Sequence, residues 1–397
     1  LFAALAVVVI LGFSASAQIA LKGETVYTMN GAPIPNGVVL INKGKIEKVG
    51  QGIAVPDGYR VISGKVVTPG LVDAHSVVGL AGIYNTPADQ MQLDRTDPMQ
   101  PELRAIDAYN AREPLVEYLR TFGVTTLHTG HAPGALASGT TIVVKTVGNT
   151  VNEALIDSTG MVAFTLGESV FSNYKSPQII SKAVAMIRGD FLKARDYLKK
   201  KGAKELDKRP APDLKMEMLG RVLRGEVKAM FTVHSAVTIM TVLRLQKEFG
   251  FKLVLDGAAE APIVIDEIKK AGVPVIVHPT MQRPSGDSKS ASFETAALLR
   301  KNGIPFAIQS GYESYVPKTR VVLFEAAIAA ANGLSREDAL ASITIDAAKI
   351  IGVDRRVGSL EAGKDGDAVV FDGDPLEYTT HVLAVAINGS IASELKR

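Results

Sequence analysis

The feature that most constrains this chain is an alternation. Between Val66 and about Ile351, short apolar runs rich in β-branched residues punctuate the sequence. They are Val66-Val67, Val124-Thr125-Thr126-Leu127, Met230-Phe231-Thr232-Val233, Lys252-Leu253-Val254-Leu255, Pro274-Val275-Ile276-Val277 and Pro305-Phe306-Ala307-Ile308. Each of the last five is separated from the next by helix-compatible sequence, the pattern of βα units in a parallel sheet. The flanks read differently. From Gln18 to about Val67 the chain is a meander of short strands, with Gly37-Val38-Val39-Leu40-Ile41, a Lys43-Gly44 turn and Lys45-Ile46-Glu47-Lys48-Val49-Gly50. After Gly358 strand character returns in Asp367-Ala368-Val369-Val370-Phe371 and Val382-Leu383-Ala384-Val385-Ala386-Ile387. Neither flank alone has enough strands to bury a hydrophobic face, so the two are expected to pair as one β domain. The boundaries this predicts are 18–67 with 358–397 for the β domain and 68–357 for the α/β domain.

With 397 residues, 47% of them hydrophobic, the chain can bury a large domain and a small one. A formal charge of +3, with Glu205 and Asp207 interspersed among Lys199, Lys200, Lys201, Lys204 and Lys208, gives no continuous basic face and argues against a nucleic-acid partner. The apolar run Leu1–Phe13 followed by Ser14-Ala15-Ser16-Ala17 reads as a signal peptide, 1–17, cleaved after Ala17 and already begun where the sequence starts. It predicts a periplasmic or secreted protein with no membrane span after signal removal. The absence of cysteine excludes disulfides, thiolate ligands and a cysteine nucleophile.

Five of the six histidines, His75, His128, His131, His234 and His278, stand at or just beyond the C-terminal end of an apolar strand run. In a (β/α)₈ barrel those ends form the functional face. The polar stretch from Tyr84 to Asn110, with Pro87, Pro98 and Pro101, is expected to be a loop over the barrel mouth. Asp73 and Asp256 read as anchors at strand ends, and Gly134 to Gly139 as a tight loop.

Thr68-Pro69-Gly70-Leu71-Val72-Asp73-Ala74-His75 resembles the segment on which amidohydrolases enter the first barrel strand. Val357 to Val370, with Gly358-Ser359-Leu360-Glu361-Ala362-Gly363-Lys364-Asp365-Gly366-Asp367, resembles their return into the β domain. Gly123-Val124-Thr125-Thr126, Asp213-Leu214-Lys215 through Leu223-Arg224-Gly225-Glu226, and Phe249 to Asp256 are similar to the exported branch related to imidazolonepropionase. The resemblance implies a (β/α)₈ barrel with a small composite β-sandwich domain. It also implies hydrolysis of a non-peptide carbon–nitrogen bond in a cyclic amide or amide-like small molecule.

Members of that superfamily hold one or two divalent metals through His-x-His on the first strand, a carboxylated Lys or Glu on the fourth, histidines on the fifth and sixth and an Asp on the eighth. The metals polarise the carbonyl and activate water. By that pattern His75 and His234 are the retained metal positions, whereas the others fall on Val77, Ala163, Gly257 and Gly311. The expectation is no zinc, or zinc weakly held at a depleted site. His278, His128, His131 and Glu260 are the candidate substrate contacts, with Glu260 and Glu313 as candidate bases; the bland reading of such a Glu is a helix cap. The alternative to a hydrolase is a catalytically silent ligand-binding barrel or partner subunit, as a homo-oligomer or beside a catalytically complete family member.

Overall fold

The computed structural model describes residues 18–312 and 321–395; the expected signal peptide and Glu313 lie outside them. The N-terminal meander comprises β1 (Ile19–Val26), β2 (Ile34–Asn42), β3 (Lys45–Gln51) and β4 (Arg60–Pro69). One residue later the chain enters the barrel. Gly70 makes that junction: a Cβ there would run into the Thr125 side chain, and its amide donates to the Asp367 carbonyl at 3.0 Å. Val66-Val67 therefore belongs to the β domain, and the first barrel strand begins at Leu71.

The barrel is built from β5 (Leu71–Ser76), β6 (Val124–Gly130), β7 (Ala137–Lys145), then, past the short β8 (Leu155–Asp157), β9 (Met161–Thr165), β10 (Lys228–Val233), β11 (Leu253–Gly257), β12 (Val275–Val277) and β13 (Phe306–Ile308). These eight, without β8, are ordered as in the sequence. Seven run parallel, but β7 pairs antiparallel with both β6 and β9. Gly134–Gly139 is thus less a loop than the entry to this strand, with Gly139 at φ +127°. The Tyr84–Asn110 stretch is also more ordered than a lid: Met99 and Arg104 bridge to Ala137 and Thr140, pairing with β7 where β6 has ended.

Among the described residues no ladder joins β13 to β5. Asp73 closes that seam, accepting the Ser310 amide at 3.1 Å and the Ser310 hydroxyl, while the Val72 amide donates to the Ile343 carbonyl at 2.8 Å. The expected anchor role of Asp73 is the one it holds. Inward-facing Val72, Ala74, Val143, Met161, Ala163, Met230, Val254, Ile276 and Ala307 fill the lower barrel against Ala347, Ile350 and Ile351 of the helix Ile345–Ile351. The lumen is thereby a packed core with only its upper layer available for polar groups.

The C-terminal strands β14 (Ala368–Phe371), β15 (Val382–Ile387) and β16 (Ser390–Glu394) complete the other sheet, ordered β16-β15-β14-β4-β1-β2-β3. Both chain ends build it, β4 pairing with β1 on one side and β14 on the other. Arg60 forks onto Glu394 at 2.7 and 2.8 Å. The two domains are pinned at the buried Lys145, whose ammonium lies between the carboxylates of Asp365 and Asp367.

Candidate active site

The upper barrel layer is organised around Asp256. Position 256 lies two residues after the inward-facing Val254, so the strand period of two turns its carboxylate into the lumen. There Oδ1 accepts His75 Nδ1 at 2.9 Å and Gln309 Nε2 at 2.8 Å, while Oδ2 accepts the Thr232 hydroxyl at 2.6 Å. Burial pushes the Asp256 carboxyl up, but the positive charge of His75 and the hydrogen bonds from His75, Thr232 and Gln309 outweigh it and hold the group below its ordinary value. An ionised carboxylate fixes the proton of His75 on Nδ1. His75 is fully buried and its Nε2 has no hydrogen-bond partner among the described residues. Asp73 behaves oppositely: burial raises it to about 6, against the hydrogen bonds from Ser310 and His75.

Above this layer lies a cavity of about 330 Å³. Thr232 belongs both to its wall and to the Asp256 cluster. His234, 6% exposed, and Tyr312 also line it; the Tyr312 hydroxyl is 3.4 Å from His234 Nε2, and its ring centroid is 5.6 Å from that of His75. Glu168 and Asp287 complete the wall from the loops after β9 and β12.

The other expected contacts are placed elsewhere. His128 gives Nδ1–H to the Ala74 carbonyl at 2.6 Å and sets Nε2 against the Thr141 hydroxyl at 2.6 Å. His278 gives Nδ1–H to the Pro279 carbonyl at 2.8 Å and meets Thr295 Oγ1 at 3.2 Å. Both imidazoles are spent on the protein, and burial lowers them to about 3 and about 4. His131, lowered to about 4 by burial, packs against Gly139. None of the three lines the cavity; His75 does not line it either, but its ring packs against Tyr312, which does. Glu260 is a helix cap, accepting the Ala236 amide at 2.7 Å and the Ser290 hydroxyl at 2.9 Å. The residues that sequence reading undervalued are Asp256, Gln309 and Thr232; the parity with Val254 was the available signal for Asp256.

The family's metals can be tested against the side chains at their positions. Val77 packs with Ala81, Ala132 and Tyr312, and Ala163 belongs to the apolar filling of the barrel. At Gly257, with φ +79°, a Cβ would stand 2.6 Å from His234 Cε1, so the His234 imidazole fills the space a ligand there would need. Among the described residues no three His, Asp or Glu side chains gather to hold a metal. These residues do not fit a two-metal centre, which draws its donors from those positions.

The comparisons agree with this architecture. The chain is 30% identical to an amidohydrolase of Thermotoga maritima MSB8, whose crystal structure superposes with a TM-score of 0.89 over 95% of this chain and 100% of that one. An adenosine deaminase from Xanthomonas campestris with bound zinc, 15% identical, shares the fold at a TM-score of 0.54, over 94% and 92% of the two chains. Amidohydrolase tasK of Hapsidospora irregularis is 23% identical over 392 residues, 89% of this chain and 39% of that protein, so the chain spans about two fifths of that relative's length. The family model described as the amidohydrolase family matches residues 66–393, from the last strand of the N-terminal meander to the last strand of all. The chain belongs to the amidohydrolase family.

Proposed function

We propose that the protein hydrolyses a non-peptide carbon–nitrogen bond in a cyclic amide or amide-like small molecule, with His75 as the proton acceptor. The observation that carries this reading is the His75–Asp256 pair at 2.9 Å. With Nδ1–H committed to Asp256, the ring in its neutral form keeps its lone pair on Nε2, the arrangement by which a carboxylate orients a histidine base. Water gives its proton to Nε2 as its oxygen bonds to the carbonyl carbon; the proton then passes to the departing nitrogen as the carbon–nitrogen bond breaks. The protein holds zinc weakly or not at all, since of the family's ligand positions only His75 and His234 offer donors. The similarity of Gly123–Thr126 and Phe249–Asp256 to the imidazolonepropionase-related branch supports a cyclic substrate. The Ala15-Ser16-Ala17 pattern supports export, which N-terminal sequencing of the mature protein would test by finding Gln18 first.

A screen of lactams, hydantoins and N-acyl amino acids for released amine and carboxylate tests the activity. His75→Ala is expected to abolish turnover and Asp256→Asn to lower kcat by roughly 10²–10⁴-fold. Turnover unchanged in His75→Ala would overturn the assignment, and saturable binding without turnover would return the reading to a ligand-binding barrel.

A further inference from the structure

The cavity walls carry a charge pattern that the reaction class does not explain. Glu168 and Asp287 come from different loops yet interlock: a side chain at Gly167 would strike the Asp287 carboxylate, and one at Gly286 the Glu168 carboxylate. Asp287 Oδ2 accepts the Glu168 amide at 3.1 Å, so the two loops cross through these residues and set two carboxyl groups on one wall. Hydroxyls of Ser169 and Ser285 border them, and among the described residues no Lys or Arg lines the cavity. A pocket of this size with two carboxylates and, among the described residues, no fixed cation favours a ligand that brings its own positive charge.

An independent observation lies behind the wall at Thr232. Gln309 is fully buried, and its amide nitrogen donates to two acceptors, Asp256 Oδ1 and the Val277 carbonyl at 3.1 Å. That orientation fixes the amide oxygen as Oε1, which has no partner among the described residues. A buried unpartnered acceptor asks for a donor. His75, whose Nδ1 meets the same Asp256 oxygen, leaves its Nε2 as a second buried atom without a partner among the described residues. The wall's own hydroxyls can donate, but these two buried atoms behind Thr232 are left without a partner, and a ligand bearing N–H groups is suited to supply one.

We infer that the substrate is a cationic amide, a small lactam or amide-like compound bearing an ammonium or amidinium group, with Glu168 and Asp287 as its specificity-determining residues. The inference rests on the hydrolase reading for the word amide and on the wall alone for the charge. The test is calorimetric binding of three matched probes at low salt: 3-aminocaprolactam as cation, caprolactam as neutral control and pyroglutamate as anion. The cation is expected to bind about tenfold tighter than the other two. That preference should vanish in E168Q/D287N, whose fold is checked by circular dichroism. Pyroglutamate binding as tightly as the cation, cation binding undiminished in the double variant, or no saturable binding by any probe would overturn the inference. Because no probe need be turned over, selective binding without hydrolysis would fail the hydrolase reading while sustaining the charge assignment.

Discussion

Lys145 Nζ lies 3.0 Å from Asp365 Oδ2, a salt bridge in which both side chains are almost wholly shielded from solvent. Asp367 holds the same ammonium from the other side, and Lys45 and Arg356 also reach Asp365. Burial pushes the Asp365 carboxyl up, but Lys145, Lys45 and Arg356 together bring it down to about 2. Lys145→Met would leave Asp367 buried without its cation, and removing one partner of such a pair typically costs about 3–5 kcal/mol. The expected outcome is a correspondingly lower urea midpoint, partly restored by adding Asp367→Asn.

Stability should fall on acidification through the range where histidine titrates. His128, His131 and His278 are held at about 3, about 4 and about 4 in the folded state. An unfolded histidine titrates near about 6.5. Below that pH the unfolded chain binds protons that the folded one refuses, so these three contributions are present above pH 6.5 and are lost as pH falls toward 4. Asp73, raised to about 6, acts in reverse: its folded form gains stability as pH falls through 6 toward the unfolded value. Three imidazoles outweigh one carboxyl, and urea midpoints measured from pH 7 to pH 4.5 should decline. His128→Gln should flatten that slope, at some cost in stability from the altered hydrogen bonds; an unchanged slope would contradict the assignment.

Deleting residues 366–397 should unfasten the opposite end of the chain. β4 would lose β14, and Arg60 would lose Glu394. Hydrogen exchange is expected to accelerate in Arg60–Pro69 and, through it, in Ile19–Val26. Retained protection in those two strands would show that the N-terminal meander stands alone.

Elemental analysis of protein purified without added metal should find well under one zinc per chain, and chelator should leave the melting temperature unchanged. Restoring a ligand at one position is not expected to create a centre. Gly257→His would have to displace the His234 imidazole and take a left-handed backbone, so it should destabilise the fold by about 1–3 kcal/mol rather than raise metal affinity.

Much of the architecture was legible because periodicity and order carry it. The β segments at either end, the strands near 124, 230, 253, 275 and 306 and the histidines at their C-terminal ends all follow from local pattern. The direction of β7 was not: Ala137–Lys145 is an apolar run whose sense depends on partners at 99–104, 126–130 and 162–164, which no local pattern reveals. Counting ligands by type singled out His75 and His234 and passed over Asp256, because a carboxylate was not what the family pattern sought on that strand. His128 and His278 looked available only because their Thr141 and Thr295 partners stand 13 and 17 residues away.

The composite sheet also sets an order of events. β4 is made before the barrel, yet its neighbour β14 emerges only after the whole barrel has been synthesised, so one edge of the N-terminal meander stays open throughout barrel synthesis. An open strand edge is a template for pairing with other chains. Newly made fragments that carry the meander without β14 should therefore be the aggregation-prone species, and a holding chaperone would protect them best until Ala368–Phe371 arrives to seal the edge.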